Sequence, residues 1–211
     1  MIALLHVIPA FALTALLLAM VPGQGVAMVL RQSLVGGRSA AFYSLAGNAV
    51  GLITWGLLSS VGLSVIFAKS KLAFSLLKWA GVSFLVILSI QTLIQLKNEF
   101  GKFDFDSSAK TQFWPAFRLG LFTNLTNVKA ALFAVAFIPQ FVPKSVSLGM
   151  GIIVLSCTQS LVSTTWYTSM ILAVHKSSVV LAKPSVRRSL TAISALGIMF
   201  LALGLAFTSP R

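Results

Sequence analysis

The sequence predicts an all-α integral membrane protein of six transmembrane helices, arranged as two inverted three-helix repeats. Three observations lead there. Only 9% of the 211 residues are charged while 57% are hydrophobic, and mean hydropathy is +0.96. A soluble domain carries about 25% charged residues, so this chain could not cover its own surface in water. Six apolar runs, roughly 3–30 (interrupted), 41–67, 76–96, 115–139, 146–174 and 189–208, are long enough to cross a bilayer, which takes about 20 residues. Finally, one polar stretch, 97–114, leaves flanking halves of 96 and 97 residues with three runs each. An odd number of spans per half makes the second half enter from the opposite face, a common transporter architecture.

The first run opens "MIALLHVIPAFALTALLLAM" without a basic n-region and is read as a retained span rather than a cleaved signal. It is interrupted at Pro22, Gly23, Gln24 and Gly25, after which "VAMVL" is apolar again. A broken helix is the favoured expectation, because 3–30 exceeds what one span needs. The alternative is that the first helix ends at the break and 26–35 forms a short interfacial helix. The second run carries Ser44, Gly47, Asn48, Gly51 and Trp55 at helical spacing. Small residues on one face promote close helix association, within one chain or, in a homodimer, between two. The third run, 76–96, offers no comparable interruption and leads into the linker, where Glu99, Asp104 and Asp106 are the only carboxylate side chains of the protein.

The fourth run is interrupted in its turn, by Asn124, Thr126, Asn127 and Lys129 in "FTNLTNVKAALF". Interruptions at corresponding places in two halves are the best sequence pointer to a transporter binding site. Half-helix N-termini there offer unpaired N–H groups and a positive dipole end to an anionic group. In the fifth run Ser156, Ser160, Thr164 and Thr168 recur every fourth residue, with Gln159, Ser163 and Tyr167 beside them. Of the two stripes, Gln159 and Asn48 are the members expected to face a polar cavity. The sixth run, 189–208, completes the second repeat, so that the expected units are 1–96, the cytoplasmic linker 97–114, and 115–211.

Charge separates the function classes. Sixteen Lys and Arg against three acids give +13. The basic residues fall mostly between apolar runs, which points to lipid headgroups and topology rather than to nucleic acid. Ten lie in the first, third and fifth loops and five on the other side, so the positive-inside rule puts both termini outside a bacterial cytoplasmic membrane. Cys157, the single cysteine, lies in an apolar run and is read as a small buried hydrophobe. Paired acids, a metal-ligand cluster and a Ser/His pair at plausible depth are all missing, so an intramembrane enzyme is not expected, nor is a cofactor or metal.

Lys129 is the most informative residue. It stands about 15–20 Å along a helix from either end of its run, too deep for its stem to snorkel fully out. A charge at the bilayer centre costs about 2.5–3.5 kcal/mol and is a functional hypothesis by default. The competing reading is structural, with the ammonium capping unwound backbone carbonyls or bonded to Asn124 or Asn127. No carboxylate lies in the runs to pair with it, which leaves a net positive site awaiting an anion.

These residues resemble the LysE/RhtB family of amino-acid exporters, in particular its RhtB-like homoserine/threonine efflux branch. That family shows a PGPN-like motif in the first span and NPKAxLFF…PQF in the fourth; here the matching text is "VPGQGVAMVLRQSLVGGR" and "NVKAALFAVAFIPQF". Asn127, Lys129, Ala130, Phe133, Pro139, Gln140 and Phe141 all match the second motif. The resemblance implies a six-helix fold of two inverted repeats and, as a family expectation, proton antiport. The second Pro and the Asn of the first motif are Gln24 and Gly25 here, and the Pro of the second is Val128. Without that proline the fourth span is free to stay more helical near Lys129, since valine keeps its N–H.

The expected function is therefore export of neutral amino acids or close derivatives. The substrate carboxylate would meet Lys129 and the backbone N–H groups after Gly23. Asn127, Gln24, Asn48 or Gln159 would take its polar groups and ammonium. The alternative is a non-transporting membrane protein, an inactive paralogue or an assembly partner.

Overall fold

A computed structural model describes residues 2–21, 23–69 and 112–181, with single helical positions between 72 and 94 and between 192 and 203. The predicted third and sixth spans, the linker and its three acids, the division into repeats and the orientation of the termini lie largely or wholly outside the described residues. Within them the chain is helical, with no strand. Three helices are long and apolar enough to cross a membrane, and a bent pair adds a fourth if it counts as one span.

Helix α1, Ile2–Met20, has 19 residues, which at about 1.5 Å per residue rises roughly 28 Å. That nearly equals the hydrocarbon thickness of about 30 Å, so α1 is by itself long and apolar enough for a complete crossing. The expectation of one interrupted span over 3–30 is corrected accordingly. The chain leaves the helix at Val21, passes through extended backbone at Gly23, and starts a separate helix α2, Gln24–Val35. Its Gly25, Met28 and Val29 are buried while Gln24 and Arg31 are exposed. This one-sided i, i+3, i+4 pattern is what the apolar "VAMVL" conceals. A left-handed Gly37 (φ 73°), a conformation only glycine adopts without penalty, turns the chain directly into α3, Gly37–Lys69.

Helix α4, Phe113–Leu125, stops at Thr126 and Asn127; the chain resumes as α5, Val128–Leu132, a π-helical turn Phe133–Phe137 and a last turn α6, Ile138–Phe141. The two parts of this span meet at a bend of 56°, so the expectation of a more continuous helix around Val128 is also corrected. No proline is needed. Asn127 caps α5 by accepting from the Lys129 backbone N–H at 3.0 Å, and its own N–H donates to Asn124 O at 3.0 Å. The π-turn frees the Ala134 carbonyl, which accepts from Ser59 Oγ of α3 at 2.9 Å. Helix α7, Leu148–Leu181, completes the described part.

Two apolar clusters hold these elements. In the first, Phe11, Leu18 and Val21 of the N-terminal segment pack on Phe133, Phe137 and Ile138 and on Ile152 and Leu155 of α7, with Val82 also buried in it. The Phe133 and Phe137 rings stack 4.7 Å apart. In the second, Met28 and Val29 of α2 pack with Ala41 and Leu45 of α3 and Tyr167, Met170 and Ile171 of α7. Helices α3 and α4 meet through glycine: a Cβ on Gly47 would strike the Phe117 carbonyl, and one on Gly120 the Ser44 carbonyl. Much of the small-residue stripe of the second run is thus used within the chain, as in close-packed membrane helices generally.

Candidate functional site

A cavity lies where the α1–α2 connection, the 126–127 break and α7 converge. From α1 it takes Leu18 and Ala19, from α2 Gly25, and from α3 Asn48 and Leu52. Asn124, Asn127, Lys129 and Ala130 line it from the broken span, and Gln159, Ser163 and Tyr167 from α7. Its volume is about 30 Å³, room for one or two waters.

Lys129 enters from the first turn of α5, held there by the Asn127 cap. Its Nζ donates to Leu18 O at 3.1 Å and to Val21 O at 3.5 Å. Leu18 belongs to the last turn of α1, whose carbonyls have no partner inside the helix and form its negative dipole end. The ammonium therefore caps α1. A Cβ on Gly23 would sit 3.6 Å from Lys129 Nζ, so the backbone at the start of α2 passes directly by the charge. One cation thus faces both the end of α1 and the beginning of α2.

The amides form the other polar part of the wall. Asn124 Nδ2 donates to Asn48 Oδ1 at 3.0 Å, tying α4 to α3, and Trp55 Nε1 donates to the Asn124 carbonyl at 3.3 Å. Asn124 Oδ1 and Gln159 Oε1 are buried with no hydrogen-bond partner among the described residues. A buried acceptor left unpaired costs about 1–3 kcal/mol; two of them in one cavity wall present an obvious place for a donor.

Of the residues singled out from sequence, Gly25, Asn48, Asn124, Asn127, Lys129 and Gln159 come together on this cavity. Gly23 is exposed beside it, Gln24 is exposed and does not line it, and Pro22 lies outside the described residues. Tyr167 and Ser163 line it as well, although the sequence offers them only as neighbours of the hydroxyl stripe. That stripe serves packing: Ser160 Oγ donates to Ala49 O at 3.3 Å, and Ser156 would meet any Cβ on Gly56. The usable signal was the spacing 159, 163, 167, which repeats every fourth residue one face over. Cys157, expected to be buried, is exposed on the outer face.

Because Asn127 fixes the start of α5, Asn127→Ala is expected to lose about 1 kcal/mol. Thermal unfolding in detergent should show it, with Asn127→Asp close to wild type because a carboxylate keeps the cap.

A bent, multi-pass helical membrane protein with a polar, cation-bearing cavity among its helix breaks is the class that this fold and site define. The chain belongs to the LysE type translocator family, whose model matches residues 16–209. It is 32% identical over 204 residues to a homoserine/homoserine lactone efflux protein of Salmonella typhimurium, covering 96% of each chain. It is 37% identical over 134 residues to the protein of that name in Salmonella typhi, covering 63% of each. An uncharacterized membrane protein of Bacillus subtilis is 28% identical over 170 residues, 77% of this chain and 80% of that one. No solved structure matches.

Proposed function

We propose that this protein is a secondary transporter of the bacterial cytoplasmic membrane, both termini outside, that exports neutral amino acids or close derivatives by proton-coupled alternating access between two inverted repeats. The observation that carries the reading is the cavity itself. A lysine ammonium stands at the junction of two helix ends, and two amide oxygens without a partner among the described residues share the same wall. A zwitterion matches both: its carboxylate replaces main-chain carbonyls on Lys129 Nζ, and its ammonium donates to Asn124 Oδ1 and Gln159 Oε1. Homoserine, which the relatives' printed name includes, carries both of these charged groups.

The cavity has to widen to admit such a solute. The α1–α2 connection and the 56° bend are the places where it would do so, since neither breaks a helix when it moves. Carboxylate binding draws Lys129 away from Leu18 O, which loosens the end of α1 as the solute enters.

Efflux of labelled amino acids from proteoliposomes, with and without a pH gradient, tests this. Neutral amino acids and homoserine are expected to move, driven by the gradient. Lysine and arginine should be excluded by roughly a hundredfold, the equivalent of about 2.5–3.5 kcal/mol for an uncompensated charge in the membrane. Equal transport of lysine would rule out the charge argument. No flux across a broad panel would favour a non-transporting assembly partner instead.

A further inference from the structure

Tyr167 is the largest side chain of the cavity wall among the described residues, and the proposed carboxylate and ammonium contacts leave it unused. Its ring is 6% exposed and wedged in the second apolar cluster among Met28, Val29 and Met170. The ring therefore cannot swing aside without dismantling the packing of α2 on α7. Its hydroxyl reaches the cavity at Gly25. The fit there is tight: a Cβ on Gly25 would lie 2.6 Å from Tyr167 Oη and 3.3 Å from Cζ. Gly25 is thus glycine because the tyrosine hydroxyl occupies the space its side chain would need. Two elements from different parts of the chain make one wall, rigid on the α7 side and minimal on the α2 side.

We infer that Tyr167, seated against Gly25, is the specificity-determining residue that sets the upper size of the transported solute's side chain. The inference rests on the cavity being the solute site. A ring locked by packing acts as a fixed stop, whereas Lys129 and the amides grip groups common to all amino acids and cannot discriminate among side chains. Shortening residue 167 moves the stop outward; adding an atom to residue 25 moves it inward.

The test is competition. Efflux of the labelled neutral solute that wild type carries best is challenged with unlabelled alanine, serine, valine, leucine and phenylalanine, for wild type, Tyr167→Phe, Tyr167→Leu, Gly25→Ala and the double variant Gly25→Ala/Tyr167→Phe. Tyr167→Leu keeps an apolar side chain in the cluster and is expected to let leucine and phenylalanine compete at least about tenfold better, the discrimination that a methylene or two is worth in a pocket. Tyr167→Phe, one atom shorter, should shift the limit less. Gly25→Ala should narrow the range, and Tyr167→Phe should restore it in the double variant by removing the 2.6 Å contact. An unchanged size limit in Tyr167→Leu overturns the inference. Should that variant yield no folded protein, failure of Tyr167→Phe to rescue Gly25→Ala overturns it equally. Wild-type flux with no size effect sinks this inference alone, whereas no wild-type flux for any solute sinks the transporter reading and the inference with it.

Discussion

Lys129→Met is expected to cut efflux at least about tenfold while leaving a folded but less stable protein. Methionine keeps the length of the stem and its apolar contacts, so the variant removes little besides the ammonium. Two separate losses follow. Leu18 O and Val21 O lose their donor, which lowers stability by about 1–3 kcal/mol and should show as an earlier thermal transition. The cavity also loses its only cation among the described residues, so a substrate carboxylate would have to leave water for uncharged surroundings. Charge-assisted bonds contribute about 1.5–3 kcal/mol each, which puts the fall in flux between about tenfold and a hundredfold or more. Lys129→Arg separates the two roles. It retains the charge and can still donate to the end of α1, so stability should stay near wild type. Its guanidinium does not release a proton at accessible pH, so if Lys129 carries the coupling proton, transport by this variant should lose its dependence on the pH gradient. Full flux in Lys129→Met would reduce the residue to the helix cap that the structure already shows.

The polar contents of the cavity are legible in the sequence because the surroundings are so apolar. Against runs with few amide or charged side chains, Asn48, Asn124, Asn127, Lys129 and Gln159 each stand out, and burial of such groups demands a reason. The order of helices is hidden where apolar character is continuous. Residues 3–30 look like one overlong span, yet a 19-residue helix followed by an amphipathic one uses the same letters, and only packing partners tell them apart. The break at Asn127 shows the reverse: an absent proline suggests continuity, but the asparagine cap is enough to end one helix and begin another. Tyr167 escapes notice for a rotational reason. Two fourfold-spaced faces adjoin on α7, and which of them turns toward the cavity is fixed by Ser156 and Ser160 seating against α3, a tertiary fact with no local signature.

Gly120→Ala is expected to be the most damaging single-methyl change in the described part of the chain. The added Cβ would fall on the Ser44 carbonyl oxygen and 2.6 Å from the Ser44 carbonyl carbon. These are backbone atoms in the N-terminal part of α3, with no rotamer to yield, so the helices must separate. Gly47→Ala drives the same wedge from the other side, against Phe117 O and 2.8 Å from Leu121 N. Overpacking of this kind costs about 1–3 kcal/mol or more, which outweighs the gain of up to about 1 kcal/mol from replacing glycine in a helix. Gly62→Ala is the internal control: it lies in the same α3 with nothing within 4 Å of the new atom, so it should be neutral or slightly stabilising. The consequence reaches the cavity. The α3–α4 contact is what brings Asn48 to Asn124 and Trp55 to the Asn124 carbonyl, so separating the helices misplaces the amide oxygens proposed to receive the substrate ammonium. Surviving Gly120→Ala protein should therefore bind substrate weakly while Lys129 is intact. Thermal unfolding and efflux measured together check this. Wild-type stability in Gly120→Ala would mean that α3 and α4 do not touch backbone to backbone, and the amide wall would then need another support.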